Sequence, residues 1–236
     1  MQFLNDFFDA ADLAVTVTGA QGSAFAKQIA GDFNPIHDAN SKRFVVPGDL
    51  LFAIALQKYG LYQSMKFEFL DLVKANSKLS FPEQLSGAAA LVTHRDGKEV
   101  LSMCASGQSI QESSSIESVL RKYVAFSGQN FPHILVPLMQ EHQVMINPAR
   151  PLVIYQSMSY ELDSLMFSDL QIELVSTALH VNGKRGDAIL EFSFVDSGIE
   201  IGRGSKKLVL SGLRPYDSET MTRLCDDYLA IAGAND

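Results

Sequence analysis

The sequence predicts an α+β fold in which an apolar helix is wrapped by an antiparallel sheet, the unit being given twice. Three observations carry this expectation. The segment Leu50-Leu51-Phe52-Ala53-Ile54-Ala55-Leu56 is continuously apolar, long runs of β-formers follow it with turn signals between them, and the order of helix then strands starts again near Ile116. A helix this apolar cannot stand in water, and a curved antiparallel sheet buries it on all sides.

The elements follow in order. Residues 1–20 read as an amphipathic lead-in ending in the β-rich Leu13-Ala14-Val15-Thr16-Val17-Thr18. Ser23 to Ala30 reads as a short helix with Phe25 and Ile29 on one side, and Gly31 to Pro47, rich in Gly, Asn, Asp and Pro, as a loop. The apolar helix then runs from Gly48 to Tyr59, with Gly60 as its C-terminal cap. Strands are expected at Phe67 to Val73, Leu85 to His94 and Glu99 to Ile110, with Arg95-Asp96-Gly97 as a hairpin turn. Polar Gln111 to Ser115 reads as a linker, and Ile116 to Phe126 as the helix that opens the second half. Strands recur at Leu152 to Tyr160, Gln171 to Val181, Ala188 to Val195 and Ile199 to Leu210. Lys184-Arg185-Gly186 and Asp196-Ser197-Gly198 are their turns, and Asp217 to Ala232 closes the chain as a helix capped near Ser218.

The second half echoes the first in residues as well as in order. Ser127-Gly128-Gln129-Asn130-Phe131-Pro132-His133 follows Ala30-Gly31-Asp32-Phe33-Asn34-Pro35 by 97 residues, and Leu135-Val136-Pro137-Leu138-Met139 answers Val45-Val46-Pro47-Gly48-Asp49-Leu50. The expected division is 1–112 and 116–236.

Composition narrows the function classes. A net charge of -8, with Lys and Arg nowhere clustered beyond pairs such as Arg121-Lys122 and Lys206-Lys207, argues against a nucleic-acid partner. Both pairs read as solvated faces. Two distant cysteines, Cys104 and Cys225, exclude a disulfide framework and speak against a structural zinc site, and Cys104 falls in an apolar run that reads as a buried strand. No stretch reaches the roughly 18 apolar residues of a membrane span. The start lacks the basic and apolar regions of a signal peptide, so a cytoplasmic, reduced setting is expected.

Chemistry concentrates in Gly31-Asp32-Phe33-Asn34-Pro35-Ile36-His37-Asp38. A carboxylate and an imidazole lie five residues apart in a loop that Pro35 constrains, so both can be aimed at one water, one group serving as base and the other as acid. The same residue types also suit a helix-exit turn in which Asp32 and Asn34 bond only to backbone. The string resembles the signature of the MaoC-like, (R)-specific enoyl-CoA hydratases, Gly-Asp-x-Asn-Pro-[Ile/Leu/Val]-His, at Gly31, Asp32, Asn34, Pro35, Ile36 and His37. The resemblance implies a double hot-dog fold whose two sheets pair into one. It also implies reversible hydration of a 2-enoyl thioester, with Asp32 as base on water, His37 orienting that water and returning the proton, and Asn34 positioning the pair. The Gly48 N–H, at a helix start, is the expected donor to the thioester oxygen. Phe33, Pro47, Asp49 and Arg43 are expected to meet the substrate, Arg43 with Lys42 through the phosphates of coenzyme A or else as solvated charges. Coenzyme A would enter as part of the substrate, with no separate cofactor and no metal, in a monomeric pseudo-dimer or a homodimer.

The chain departs from that family at three points. Only ten residues separate His37 from Gly48, Pro47 replaces a His, and Asp49 places a carboxylate where an apolar residue is usual, opposing an enolate if it is ionised and inward. In the repeat, Gln129 replaces Asp32 and His133 is one place off His37, so one active site per chain is expected. His94, His142 and His180 read as surface or strand residues, and Ser127-Gly128 lacks a nucleophile-elbow context. Two rival functions remain: an acyl-CoA thioesterase, and a lipid- or acyl-thioester-binding protein without turnover.

Overall fold

In the computed structural model, which describes residues 2–11, 14–85 and 89–233, one antiparallel sheet organises the chain. It is built from β1 (Asp9–Ala11), β2 (Ala14–Thr16), β3 (Leu61–Phe69), β4 (Leu79–Ser80), β5 (Ala90–His94), β6 (Glu99–Ile110), β8 (Val153–Leu162), β9 (Leu170–Asn182), β10 (Arg185–Asp196) and β11 (Ile199–Ser211). A separate pair joins β7 (Val144–Met145) to β12 (Arg214–Pro215). The helices are α1 (Gly19–Ala24), continued by a π-helical turn over Phe25–Ala30, then α2 (Gly48–Tyr59), α3 (Ser113–Gly128), α4 (Val136–Glu141) and α5 (Ser218–Gly233).

The strand order is β1-β2-β4-β5-β6-β3-β8-β11-β10-β9. The stretch β4-β5-β6-β3 and the stretch β9-β10-β11-β8 follow the same permutation of chain order, and the two meet at β3–β8, where Met65 faces Tyr160 and Phe67 faces Met158. One wrapped-helix unit is thus given twice and joined through a single seam: the fold is a double hot-dog.

The first unit's central helix is α2. Leu50 to Leu56 are all buried, because the helix is apolar on every side and the sheet closes over it. Gly60 ends it at φ 88°, donating to the Leu56 carbonyl; a β-carbon there would come within 2.6 Å of the Ile110 carbonyl oxygen. The counterpart of α2 is α4, only six residues long, set in a second core of Leu135, Leu138, Met139, Leu190 and Leu210. Helix α3 packs across the π-helical turn and α2, and it stands opposite the α1 region, as the echo of Ala30-Gly31 in Ser127-Gly128 places it.

Several boundaries differ from expectation, each for a local reason. Strand β3 starts at Leu61, directly after the Gly60 cap, and stops at Phe69, where the Leu70 and Asp71 N–H groups both turn to the Val100 carbonyl. The expected strand from Leu85 narrows to β5, residues 86–88 lying outside the described residues, as does Leu13 of the expected first strand. Helix α3 begins at Ser113, inside the expected linker. The β9–β10 turn sits at Gly183-Lys184, one residue early, with Gly183 at φ 58° and Arg185 already paired to Asn182. Cys104 is exposed: β6 alternates, sending Met103 inward and Cys104 out. Among the described residues no helix is long and apolar enough to cross a membrane.

Candidate functional site

The Gly31–Asp38 loop is fixed at both ends. Gly31, at φ 66°, breaks the π-helical turn, and the Asp32 N–H donates back to the Ala26 carbonyl at 2.8 Å. Asp32 Oδ1 accepts the Asn34 N–H at 2.9 Å, and Asn34 Oδ1 accepts the Ile36 N–H at 3.2 Å. Pro35–His37 forms one 3₁₀ turn, and Lys27 pairs with Asp38 at 2.8 Å, tying the turn to the helix before it. Asn34 therefore holds loop backbone with its side chain and holds Asp32 only through its N–H.

Beside the Tyr228 hydroxyl, which also interacts with the Asp32 carboxylate, the loop backbone leaves Oδ2 unused. It faces His37 Nε2 at 3.6 Å, beyond a direct hydrogen bond. His37 Nδ1 lies 2.7 Å from the Val45 carbonyl oxygen, which can only accept, so Nδ1 carries a proton and Nε2 is the ring atom turned to Asp32. Both side chains line a cavity of about 410 Å³ whose walls come from both units, including Gly48, Tyr155, Lys206 and Tyr228. Phe33, Asn34, Pro47 and Asp49 also reach it. Arg43 does not: Phe44 turns into the core and leaves Arg43, like Lys42, pointing to solvent.

A second polar group, of which the sequence pointed only to Asp49, lines the same cavity. Asp49 is buried, and its Oδ2 accepts the Ser127 hydroxyl at 2.5 Å. Lys206, only 3% exposed, donates to the same Ser127 oxygen, and its ammonium lies 4.2 Å from the centroid of the Tyr155 ring. Burial pushes the Asp49 carboxyl up and the Lys206 ammonium down, and the opposite charge of each partner limits the shift. Tyr123 and Tyr155, hydrogen-bonded through their hydroxyls, are held neutral by burial. Asn130, 3% exposed, lines the cavity with neither side-chain polar atom bonded among the described residues.

Lys206 overturns the reading of Lys206-Lys207 as a solvated pair. The signal was in the alternation: Gly202, Gly204, Lys206 and Leu208 share the inner face of β11, while Lys207 points the other way to Asp187 at 3.1 Å. Ser127 and Asn130 carried no comparable mark. The C-terminal helix also reaches the site, where the Tyr228 hydroxyl accepts the Phe33 N–H at 3.0 Å.

Fold and cavity together define a double hot-dog protein with one polar, two-sided site at the join of its units. The chain belongs to the family DUF3581, described as a protein of unknown function, whose model matches residues 2–219. No curated protein matches it. Solved structures similar to it include a conserved protein of unknown function with hot dog fold from Alicyclobacillus acidocaldarius, at 8% identity and a TM-score of 0.46, over 92% of this chain and 100% of that one. A tesB protein of Mycobacterium avium subs paratuberculosis aligns at 10% identity and a TM-score of 0.43, over 88% and 96%. A MaoC-like dehydratase aligns at 10% identity and a TM-score of 0.40, over 86% and 97%.

Proposed function

We propose that the chain hydrates 2-enoyl thioesters, or dehydrates the corresponding 3-hydroxyacyl thioesters, with coenzyme A as the expected carrier. The observation that carries this reading is the Asp32–His37 pair: two acceptors 3.6 Å apart, one with its tautomer set by Val45, at the wall of a mainly apolar cavity. A water seated against both donates one hydrogen to each. Its oxygen adds to C3, the proton it loses goes to His37 Nε2, and the Asp32 carboxylate stabilises the imidazolium so formed. The same proton then returns to C2. In this reading the Nε2 lone pair makes His37 the base, in place of the Asp32 that the family resemblance implies, and Asp32 holds the water and the charge. The Gly48 N–H, first in α2 and without an intrahelical partner, is the backbone donor for the thioester oxygen.

The test is a panel of enoyl- and acyl-CoA substrates read at both the double bond and the free thiol. Loss of the crotonyl-CoA double bond is expected, and Asp32→Ala should slow it by about 10²–10⁴ while leaving the circular dichroism spectrum unchanged. An Asp32→Ala variant as fast as the parent, or thiol release without hydration, overturns the reading.

A further inference from the structure

The Asp49–Ser127–Lys206 group is not explained by the water-activating pair. A buried ammonium is costly unless its surroundings repay it, and here repayment is partial. Ser127 stands between the two charges and satisfies one of the three ammonium donors; the Tyr155 ring covers another side. Asp49 Oδ1 and both polar atoms of the Asn130 side chain are buried without partners among the described residues. Buried polar atoms left open around one cavity are the mark of a site that a ligand completes.

Position says which part of a ligand. A β-carbon on Gly48 would fall 2.9 Å from Tyr155 Cδ1 and 3.2 Å from Phe69 Cε1, so the start of α2 is pressed against the same tyrosine ring that Lys206 covers. Gly48 and the Lys206 ammonium therefore adjoin one ring, and both residues line the cavity. Addition at C3 of an enoyl thioester, proton loss at C2, and attack on the carbonyl itself all drive negative charge onto the thioester oxygen. With the Asp32 and Asp49 carboxylates already facing the cavity, a further anion needs a fixed cation beside it, and Lys206 is the cation the cavity wall supplies.

We infer that Lys206 is the cationic half of an oxyanion site shared with the Gly48 N–H, and that Ser127 and Asp49 are positioning residues that hold its ammonium there. This rests on the acyl-thioester reading of the cavity but not on hydration. It also gives Asp49 a role. The carboxylate that would oppose an enolate on its own is the counter-ion that keeps Lys206 charged in the resting protein.

Acetoacetyl-CoA tests the inference, because its enolate, formed by loss of the C2 proton, absorbs where the keto form does not. The protein should raise the enolate band at a pH where the free ligand lacks it. Lys206→Met should reduce the bound enolate fraction by about 10²–10³, the size of an oxyanion donor's contribution, and Asp49→Asn, which removes the counter-ion that holds the ammonium charged and in place, should lower it as well. The Asp49→Asn/Lys206→Met double variant removes both buried charges together, so it should keep the fold and lack the band even where Lys206→Met alone does not fold. Asp32→Ala should retain the band. A retained band without hydration by the parent protein leaves this site standing and removes the hydratase reading. No band with the parent protein, an undiminished band in the double variant, or an undiminished band in Asp49→Asn overturns the inference.

Discussion

Gly128 meets the carbonyl of Ala30 so closely that a β-carbon on it would overlap the Ala30 oxygen and lie 2.6 Å from the carbonyl carbon. The two are helix ends: Ala30 closes the π-helical turn before the Asp32 loop, and Gly128 closes α3. The loop owes its place to this crossing, since the same β-carbon would also lie 3.1 Å from the Asp32 nitrogen.

Gly128→Ala should therefore be costly in both stability and activity. The clash is with backbone, which cannot rotate away, so destabilisation of about 3 kcal/mol or more is expected in urea unfolding. In the proposed reaction, hydration should fall as Asp32 shifts. A variant of parental midpoint would show that the crossing is looser than the geometry implies.

Tyr228→Phe tests the anchoring of the loop. The hydroxyl accepts the buried Phe33 N–H, and its loss leaves that donor open at about 1–3 kcal/mol. Hydrogen exchange at the Phe33 amide should accelerate, while the Phe33–Tyr228 ring contact, 5.9 Å between centroids, persists.

Asp71 gives a pH-dependent prediction. The hydrogen bond from Lys98, 2.6 Å away, holds its carboxyl below the ordinary value of 3.8. A depressed folded pKa contributes stability that is complete above the unfolded value and is lost as pH falls through the folded one. Lys98→Met should thus lower stability at neutral pH and make no difference well below pH 3.8. Because Lys98 is 62% exposed, the effect should stay under about 1 kcal/mol. A carboxyl titration of Asp71 unmoved by Lys98→Met would contradict it.

The two thiols should differ in rate. Cys104 is exposed on β6, whereas burial raises the Cys225 thiol and reduces its thiolate. One fast and one slow thiol are expected with a disulfide reagent in native buffer, and Cys104→Ser should remove the fast phase.

What the residues disclosed, and what they hid, follows their range of interaction. Strand β6 runs from Glu99 to Ile110 as its pattern and the Arg95-Asp96-Gly97 turn require, and α2 ends at its glycine, because those signals are local. The Asp32 loop was legible for the same reason. Its turn bonds join residues two apart. The Lys206 group was not, since Ser127 lies 78 residues from Asp49 and 79 from Lys206, and only the fold makes them neighbours. Reading Lys206 and Lys207 as a pair assumed a shared face, which a strand never gives to adjacent residues.

The β3–β8 seam bears on how the protein is made. It pairs Ser64 with Glu161, so β3 emerges as an open edge long before its partner is synthesised. A nascent chain in that state offers unpaired backbone to any strand nearby, and the Lys66–Glu68 charge pair along β3 guards against wrong partners. Closure over so long a separation makes the seam a slow folding event. Because the cavity wall takes Asp32 and Asp49 from one side of the seam and Ser127 and Lys206 from the other, the cavity should be assembled only when translation and seam closure are both complete.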